Sequence, residues 1–244
     1  MKQNIKKIFK SNSEILIFCV SNDYIFYETI KNLQNKLKSN NIPYKFAIIN
    51  TKTKITHLLK QILLLNLSEI LKIIKFKIYN INNSNLTKIN KDYTVKNRSD
   101  FDTLLERYKN ILLITCPFII KDKQIKKSSI YNIHCGLLPN YRGLMPVFWS
   151  LYEKNFEVGV TIHKIDKMID RGEIFIQETI KFNDQTELTE ALKKIYSVGI
   201  KSLFSTKKHN KRIRVQSLKT YYKYPTIYQI IKFKLNKIIL YLNN

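Results

Sequence analysis

Short apolar runs alternate along the chain with segments in which apolar residues recur at helical spacing. The apolar runs predict buried strands at 15–20, 44–49, 111–115, 130–134 and 158–163. The helical spacing predicts helices at 27–37, 55–74, 99–108 and 187–203. Alternation of this kind is typical of α/β proteins. It predicts a Rossmann-like, open and mostly parallel sheet, whose functional sites lie beyond the carboxyl ends of the strands.

The segment 55–74 is rich in apolar residues but is interrupted by polar ones, which include His57, Lys60 and Lys72. It is therefore too polar for a membrane-spanning helix, and we expect no transmembrane segment in the chain. Its apolar positions predict a long helix that packs against the rest of the protein. Contact with a membrane surface is the alternative interpretation. A homodimer formed through this half of the chain is a further hypothesis.

A length of 244 residues is typical of one domain of ordinary size, and we expect a main domain at 1–210 and a C-terminal extension at 211–244. The start of the chain has only a short apolar run and no small-residue cleavage site, which argues against an export signal. Three cysteines without a CxxC pair indicate neither a disulfide framework nor a metal site. A cytoplasmic protein is therefore expected.

The formal net charge of +25 suggests nucleic acid as a partner, but its distribution does not. Residues 128–180 contain five basic and six acidic side chains, so the excess of lysine lies elsewhere and is spread thinly. We therefore expect no dedicated nucleic-acid surface. The overall positive field would still attract an anionic substrate.

The segment 131–177 contains four of the five glycines, the only tryptophan and two of the four histidines. Asn132 and His134 lie two residues apart on a predicted strand, so their side chains point to the same side. They lead into the loop GLLPNYRG at 136–143. A polar pair at the end of a strand, next to an irregular loop, is typical of reacting groups in α/β enzymes.

A carboxylate could complete this site. Asp170 precedes Arg171 and Gly172, where a turn can bring it back toward the first strand, and Asp166 is the competing carboxylate. His163 is either a buried strand residue or a partner of the site, and its spacing does not decide between them.

Four ordered motifs resemble the signature of the folate-dependent formyltransferase family. They are NIH at 132–134, GLLPNYRG at 136–143, GVTIH at 159–163 and DRG at 170–172. The family includes glycinamide ribonucleotide transformylase, methionyl-tRNA formyltransferase and sugar N-formyltransferases. The resemblance implies the formyltransferase fold, a catalytic domain at 1–210, and an enzyme that uses 10-formyltetrahydrofolate as co-substrate.

The resemblance also implies roles for individual residues. Asn132, His134 and Asp170 match the catalytic trio, in which the amide stabilises the negative oxygen of a tetrahedral intermediate. The imidazole assists proton transfer, and the carboxylate orients it. The implied contacts to the co-substrate are Phe118, Ile119, Ile120 and Asp166, and those to the acceptor are Arg142 and Gly143, with Arg142 fixing the loop as the alternative. Phe148 and Trp149 are expected to face the core, and Tyr221 and Tyr222 are further candidate substrate contacts.

Departures from the family pattern bear on the acceptor. No glycine-rich phosphate loop follows the first strand, which counts against glycinamide ribonucleotide, and the short extension at 211–244 counts against a tRNA substrate. The run RGLMPVFW is similar to that of enzymes acting on nucleotide-linked amino sugars. We therefore expect transfer to the primary amine of such a sugar. The alternatives are a methionyl-tRNA formyltransferase-like enzyme, a formyltetrahydrofolate hydrolase, and a catalytically silent or nucleic-acid-binding protein.

Cys135 and Gly136 stand where many relatives have Pro and Ser, a change expected to affect packing.

Overall fold

The structure, a computed structural model, describes residues 3–9, 13–20, 24–50, 55–82, 91–207 and 221–242. Its strands are β1 (Ile15–Val20), β2 (Tyr44–Ile49), β3 (Tyr93–Val95), β4 (Asn110–Leu113), β5 (Ser129–His134), β6 (Arg142–Gly143), β7 (Glu157–Lys164), β8 (Ile174–Lys181) and β9 (Tyr221–Tyr222). Its helices are α1 (Asn4–Ile8), α2 (Tyr24–Ser39), α3 (Ile55–Leu64), α4 (Leu67–Asn82), α5 (Arg98–Arg107), α6 (Asp122–Lys127), α7 (Pro146–Tyr152), α8 (Leu188–Phe204) and α9 (Ile227–Leu242).

Seven strands form a central sheet in the order β3-β2-β1-β4-β5-β7-β8. The first five are parallel, whereas β7 runs antiparallel to both β5 and β8. The sheet order reverses direction between β1 and β4, and in such sheets ligands bind in the crevice beyond the carboxyl ends of the strands near this point. The predicted open and mostly parallel α/β sheet is confirmed.

Helices cover both faces of this sheet, which explains why its parallel strands are continuously apolar. Along β1, Ile15 and Ile17 pack into the larger core cluster with residues of α2 and α8, while Leu16 and Phe18 pack into a second cluster with residues of α5. A strand buried on both faces needs apolar side chains at every position. The prediction that Phe148 and Trp149 face the core is also confirmed, because both are buried.

The prediction of one long helix at 55–74 is wrong, because the structure has two helices that meet at residues 65 and 66. The Asn66 side-chain oxygen accepts a hydrogen bond from the Glu69 backbone N–H, and the Glu69 carboxylate accepts one from the Asn66 backbone N–H. These two bonds form a capping box that starts a new helix. The expected packing is also wrong for part of the segment, since Leu59, Ile62 and Ile74 are exposed.

The C-terminal segment packs onto the main body of the protein. β9 pairs in parallel with β6, and Phe233 of α9 lies 5.1 Å from Phe148 between ring centroids. The predicted boundary between residues 210 and 211 lies outside the described residues. Within the described ranges, no helix is long and apolar enough to cross a membrane.

Candidate active site

The end of β5 and its antiparallel neighbour β7 provide three polar side chains of the site. Asn132 lies directly opposite His163 in the register, and His134 lies opposite Thr161. Ile133, between the two polar residues of β5, is buried in the core cluster on the other side. The predicted alternation along this strand is therefore confirmed, and it places the Asn132 amide and the His134 imidazole on one side of the sheet.

His134 is buried, and its hydrogen bond identifies its tautomer. Its Nε2 lies 2.6 Å from the backbone oxygen of Tyr141. A carbonyl oxygen can only accept, so Nε2 has the proton and donates it. The other nitrogen, Nδ1, faces Asp170 at 3.9 Å from its Oδ2, which is too long for a hydrogen bond but close enough for charge attraction when the ring is protonated. In the neutral ring, Nδ1 therefore has a lone pair that is free to accept a proton.

The loop after β7 brings Asp170 between the two histidines. Its Oδ2 accepts a hydrogen bond of 2.8 Å from the Gly143 backbone N–H, and its Oδ1 lies 3.7 Å from His163 Nε2. Asp170 has φ +53°, in the left-handed region that aspartate tolerates better than most residues. The competing carboxylate, Asp166, has its Oδ1 2.7 Å from the Lys167 backbone N–H, from which it accepts a hydrogen bond. The structure therefore brings Asp170, rather than Asp166, next to the histidines.

His163 is fully buried, and its burial favours the neutral form. Its Nδ1 donates to the backbone oxygen of Lys164 at 3.1 Å, so Nε2 is left as an acceptor. The Asn132 amide nitrogen lies 3.4 Å from that Nε2. Burial lowers the pKa of His163 from 6.5 to about 4, and nearby His134 adds to this effect while Asp170 opposes it. His163 is therefore both a buried strand residue and a neighbour of the site.

Two adjacent residues tie the loop 136–143 to the loop that holds Asp170. The buried Arg142 donates from Nε and Nη2 to the backbone oxygen of Ile169, at 3.2 and 2.8 Å. Gly143 has φ +98°, and a Cβ at this position would lie 2.3 Å from the Tyr222 backbone oxygen. Only glycine fits here. The contacts of Arg142 are those of a residue that fixes the loop, and its predicted contact with a substrate stays a prediction.

The predicted co-substrate loop follows β4. Phe118 packs against Phe101 with ring centroids 4.9 Å apart, while the next side chain, Ile119, is 67% exposed. Arg98 donates from Nη1 to the Ile119 backbone oxygen at 2.7 Å and from Nε to Asp102 at 2.9 Å. The sequence contains no motif that singles out Arg98, because its contact depends on how α5 packs beside this loop.

A model of the family described as formyl transferase matches residues 73–206, which is more than half of the chain. The chain belongs to the formyl transferase family. A methionyl-tRNA formyltransferase from Caldicellulosiruptor saccharolyticus is 30% identical over 128 residues, which are 51% of this chain and 41% of that relative. The chain thus covers less than half the length of the curated relatives that it matches.

Solved structures of the formyl transferase family have the same fold. A sugar N-formyltransferase from a Shewanella species is 17% identical, with a TM-score of 0.55 over 90% of this chain and 86% of that one. A 4-N formyltransferase from Francisella tularensis is 18% identical, with a TM-score of 0.53 over the same shares of 90% and 86%. At this level of identity, the likeness identifies the fold and leaves the substrate open.

Exposed apolar side chains occur on segments that adjoin the candidate site of this formyl transferase family member. Ile119 lies on the predicted co-substrate loop, Leu144 follows Gly143, and Met168 and Ile169 precede Asp170. Tyr221 lies on β9, which pairs with β6. Large apolar side chains that stay exposed beside polar groups are typical of a binding cleft. The described residues contain no group of three His, Cys, Asp or Glu side chains that could hold a metal ion.

Proposed function

We propose that the protein transfers a formyl group from 10-formyltetrahydrofolate to a primary amine. The observation that supports this most directly is the meeting of Asn132, His134 and Asp170 at one end of the sheet, inside the segment that matches the family. The amine attacks the formyl carbon, a new C–N bond forms, and the bond from the formyl carbon to N10 breaks. No serine or cysteine nucleophile is needed.

Asn132 is the proposed donor to the negative oxygen that develops on the formyl carbon. One amide hydrogen faces His163 Nε2, and the second is free to point into the site. Because a neutral His163 accepts but does not donate there, it holds the amide with its nitrogen toward β7. The loss of one such donor in other enzymes costs about 3 kcal/mol of transition-state stabilisation.

His134 and Asp170 are the proposed proton-transfer pair. The lone pair on His134 Nδ1 accepts the proton that the amine loses, directly or through a water molecule. The resulting imidazolium has a proton on Nδ1 that faces Asp170 Oδ2, 3.9 Å away, so the carboxylate stabilises the charge. The same proton is then available for N10 as the bond to the formyl carbon breaks. General acid–base groups of this kind contribute about 10² to 10⁴ to a rate.

The residues around the cleft fit the proposed co-substrate. Its pteridine ring is flat and largely apolar on its faces, with polar groups at its edge. Exposed side chains such as Ile119 and Met168 can cover the faces, and the backbone of the co-substrate loop can bind the edge. We therefore assign Phe118, Ile119 and Ile120 to this binding as part of the proposal, with Asp166 at the opposite loop.

Within the proposal, the acceptor is a nucleotide-linked amino sugar. The run at 142–149 resembles that of sugar N-formyltransferases, and the sugar N-formyltransferase from a Shewanella species shares the fold over most of its length. The net charge of +25 would attract the diphosphate of such a substrate. A cytoplasmic location is part of this proposal.

Methionyl-tRNA is the second candidate acceptor. The observation that favours it is the 30% identity to a curated methionyl-tRNA formyltransferase over 128 residues. The basic surface would also attract tRNA. Contacts with tRNA are distributed over a large phosphate surface, so activity on this acceptor should fall steeply with salt.

Release of tetrahydrofolate from 10-formyltetrahydrofolate tests both candidates. The assay is run without acceptor, with a panel of nucleotide-linked amino sugars, and with methionyl-tRNA. We expect turnover with an amino sugar and a loss of at least about 100-fold in the His134→Ala and Asn132→Ala variants. Asn35→Ala, on the exposed side of α2, is the matched control and should retain full activity.

The other outcomes distinguish the alternatives. Turnover with methionyl-tRNA and with no amino sugar would identify methionyl-tRNA as the acceptor. Formate release without any acceptor would identify a hydrolase, and equal activity of the Asn132 and His134 variants with the wild type would refute the assigned roles.

A further inference from the structure

Exposed apolar side chains also occur far from the cleft, and most of them lie on three helices. Among the described residues, 14 of the 19 exposed large hydrophobic side chains belong to α3, α4 and α9. We call these 14 side chains the helical apolar surface. A typical protein exposes large hydrophobic residues singly, so this concentration indicates a surface that something else covers.

On α4, the exposed apolar residues form a stripe along one side of the helix. Leu67, Leu71, Ile74 and Ile78 follow one another at intervals of four, three and four residues. This spacing places them on a single face. An amphipathic helix on a protein surface normally turns such a face toward the core, whereas here it faces outward.

The same arrangement recurs on α9. Ile227, Ile231, Leu235 and Ile238 are exposed along one face, while Ile230 and Phe233 are buried on the opposite one. The buried side attaches the helix to the protein, since Phe233 packs against the core. The exposed stripe therefore remains available for a second contact.

The three helices adjoin one another, so the stripes of α4 and α9 and the exposed Leu59, Ile62 and Leu63 of α3 lie in neighbouring parts of the surface. α3 contacts α9, and the Lys60 amine of α3 donates to the Pro225 backbone oxygen just before α9 at 2.9 Å. The Lys234 amine of α9 donates to the Leu65 backbone oxygen, which immediately follows α3. α4 begins two residues later, after the Asn66 cap.

The charges on these helices indicate which kind of partner fits. The three helices contain seven lysines and one carboxylate, Glu69. Glu69 is buried and accepts a hydrogen bond from the Thr189 hydroxyl, so it contributes no exposed negative charge. Lys72, Lys75 and Lys232 are exposed, and each follows a residue of an apolar stripe. The surface is therefore apolar with a basic border.

A second copy of the chain would fit this surface poorly. A symmetric contact would bring the lysines of one copy toward those of the other, and these helices offer no exposed carboxylate to pair with them. The nearby carboxylates at the start of α8, Asp184, Glu187 and Glu190, already act on the partly buried Lys237. An anionic partner with an apolar interior matches both properties.

We propose that α3, α4 and α9 dock the protein reversibly onto an anionic lipid bilayer. The helices lie in the plane of the interface, with the helical apolar surface inserted among the acyl chains and the lysines beside the headgroup phosphates. Apolar insertion and basic charge act together, because either alone gives weak binding. This inference does not depend on the proposed enzymatic function.

Co-sedimentation with sucrose-loaded vesicles tests the docking. The full chain is mixed with vesicles of phosphatidylcholine alone or of phosphatidylcholine and phosphatidylglycerol in equal parts. We expect at least about tenfold tighter binding to the anionic vesicles, and weaker binding at high salt. Two sets of substitutions each remove one property of the surface, either its apolar side chains or its basic charge. One replaces Leu71, Ile74 and Leu235 by Gln, and the other replaces Lys72, Lys75 and Lys232 by Gln.

Each set should weaken binding at least about tenfold without lowering the melting temperature, since every substituted side chain is exposed. The matched control replaces Lys38, Lys126 and Lys127 by Gln, which removes the same charge from exposed positions outside the three helices. It should bind like the wild type. Equal loss in this control, or no binding to anionic vesicles, would overturn the proposal. So would a dimer in light scattering that the apolar substitutions dissociate, because it would assign the surface to a second copy.

Discussion

Acid should destabilise the fold through His163 in particular. This side chain is fully buried, and four effects act on its pKa. Burial and nearby His134 lower it, whereas Asp170 and the hydrogen bond to the Lys164 backbone oxygen raise it. Burial is the largest of these effects, so the pKa lies near 4 instead of 6.5. The prediction thus tests whether desolvation outweighs a carboxylate whose oxygen is 3.7 Å away.

The direction and the size of the change in stability follow from proton binding. Between pH 6.5 and about 4, the unfolded chain binds a proton at His163 that the folded chain does not bind. The stabilising contribution is therefore complete above pH 6.5 and is lost as the pH falls toward 4. The difference between the two pKa values corresponds to a loss on the order of 3 kcal/mol.

Urea unfolding across this pH range, compared between the wild type and His163→Gln, isolates the effect. The Gln side-chain oxygen can still accept a hydrogen bond from Asn132, but it does not titrate. Other groups also change protonation in acid. Their effect on stability cancels in the comparison, because both proteins contain them. We expect the wild type to lose on the order of 3 kcal/mol more than the variant between about pH 7 and pH 4.

Two results would contradict this account of His163. A constant difference between the two proteins at all pH values would mean that burial does not shift the pKa. A wild type that gains stability relative to the variant as the pH falls would mean that the attraction of Asp170 dominates. Formyl transfer should decline only as the pH falls through about 4, where His163 of the folded protein takes up its proton and Nε2 can no longer accept a hydrogen bond from Asn132.

Two further substitutions test the loops around the site. Arg98→Met removes the hydrogen bond to the Ile119 backbone oxygen, and should raise the KM for 10-formyltetrahydrofolate about tenfold with little change in kcat, whereas Arg107→Met at the exposed end of α5 should change neither. Gly136→Ala places a Cβ 2.8 Å from the Tyr141 backbone oxygen that holds His134, and should lower kcat at least about tenfold. Steady-state kinetics checks both, and an unchanged kcat in the alanine variant would show that the loop adapts.

The sequence predicted the sheet well because buried parallel strands leave a simple signal. The predicted strands at 15–20 and 44–49 coincide with β1 and β2, and the strand that ends at His134 was predicted to within one residue. β8 was missed, although its alternating Ile174 and Ile176 are typical of a strand with one buried face. β3 has only three residues, too few for a periodic pattern.

The candidate site was predicted in part. The motifs identified Asn132, His134 and Asp170, and strand alternation placed the first two on one side. Sequence spacing could not decide the place of His163. The alternation of side chains along a strand shows which side of the sheet a residue faces, but not which residue of another strand lies beside it. Its contact with Asn132 arises from the antiparallel register of β5 and β7, which is a property of the sheet. The backbone oxygen of Tyr141, which holds His134, has no sequence signal at all, since every residue has one.

The helices show a different limit of prediction from the sequence. The break at Asn66 had a sequence signal, an Asn followed three residues later by Glu69, but the surrounding apolar pattern continued across it. α9 was not predicted from the sequence, and because apolar residues occupy both sides of this helix, their spacing does not indicate which side meets the core. Phe233 decides this by packing on Phe148, and Leu235 and its neighbours are left outside as a consequence. An apolar helix face in a sequence is therefore evidence for a contact, but only the structure shows whether the protein itself makes that contact or leaves it to a partner.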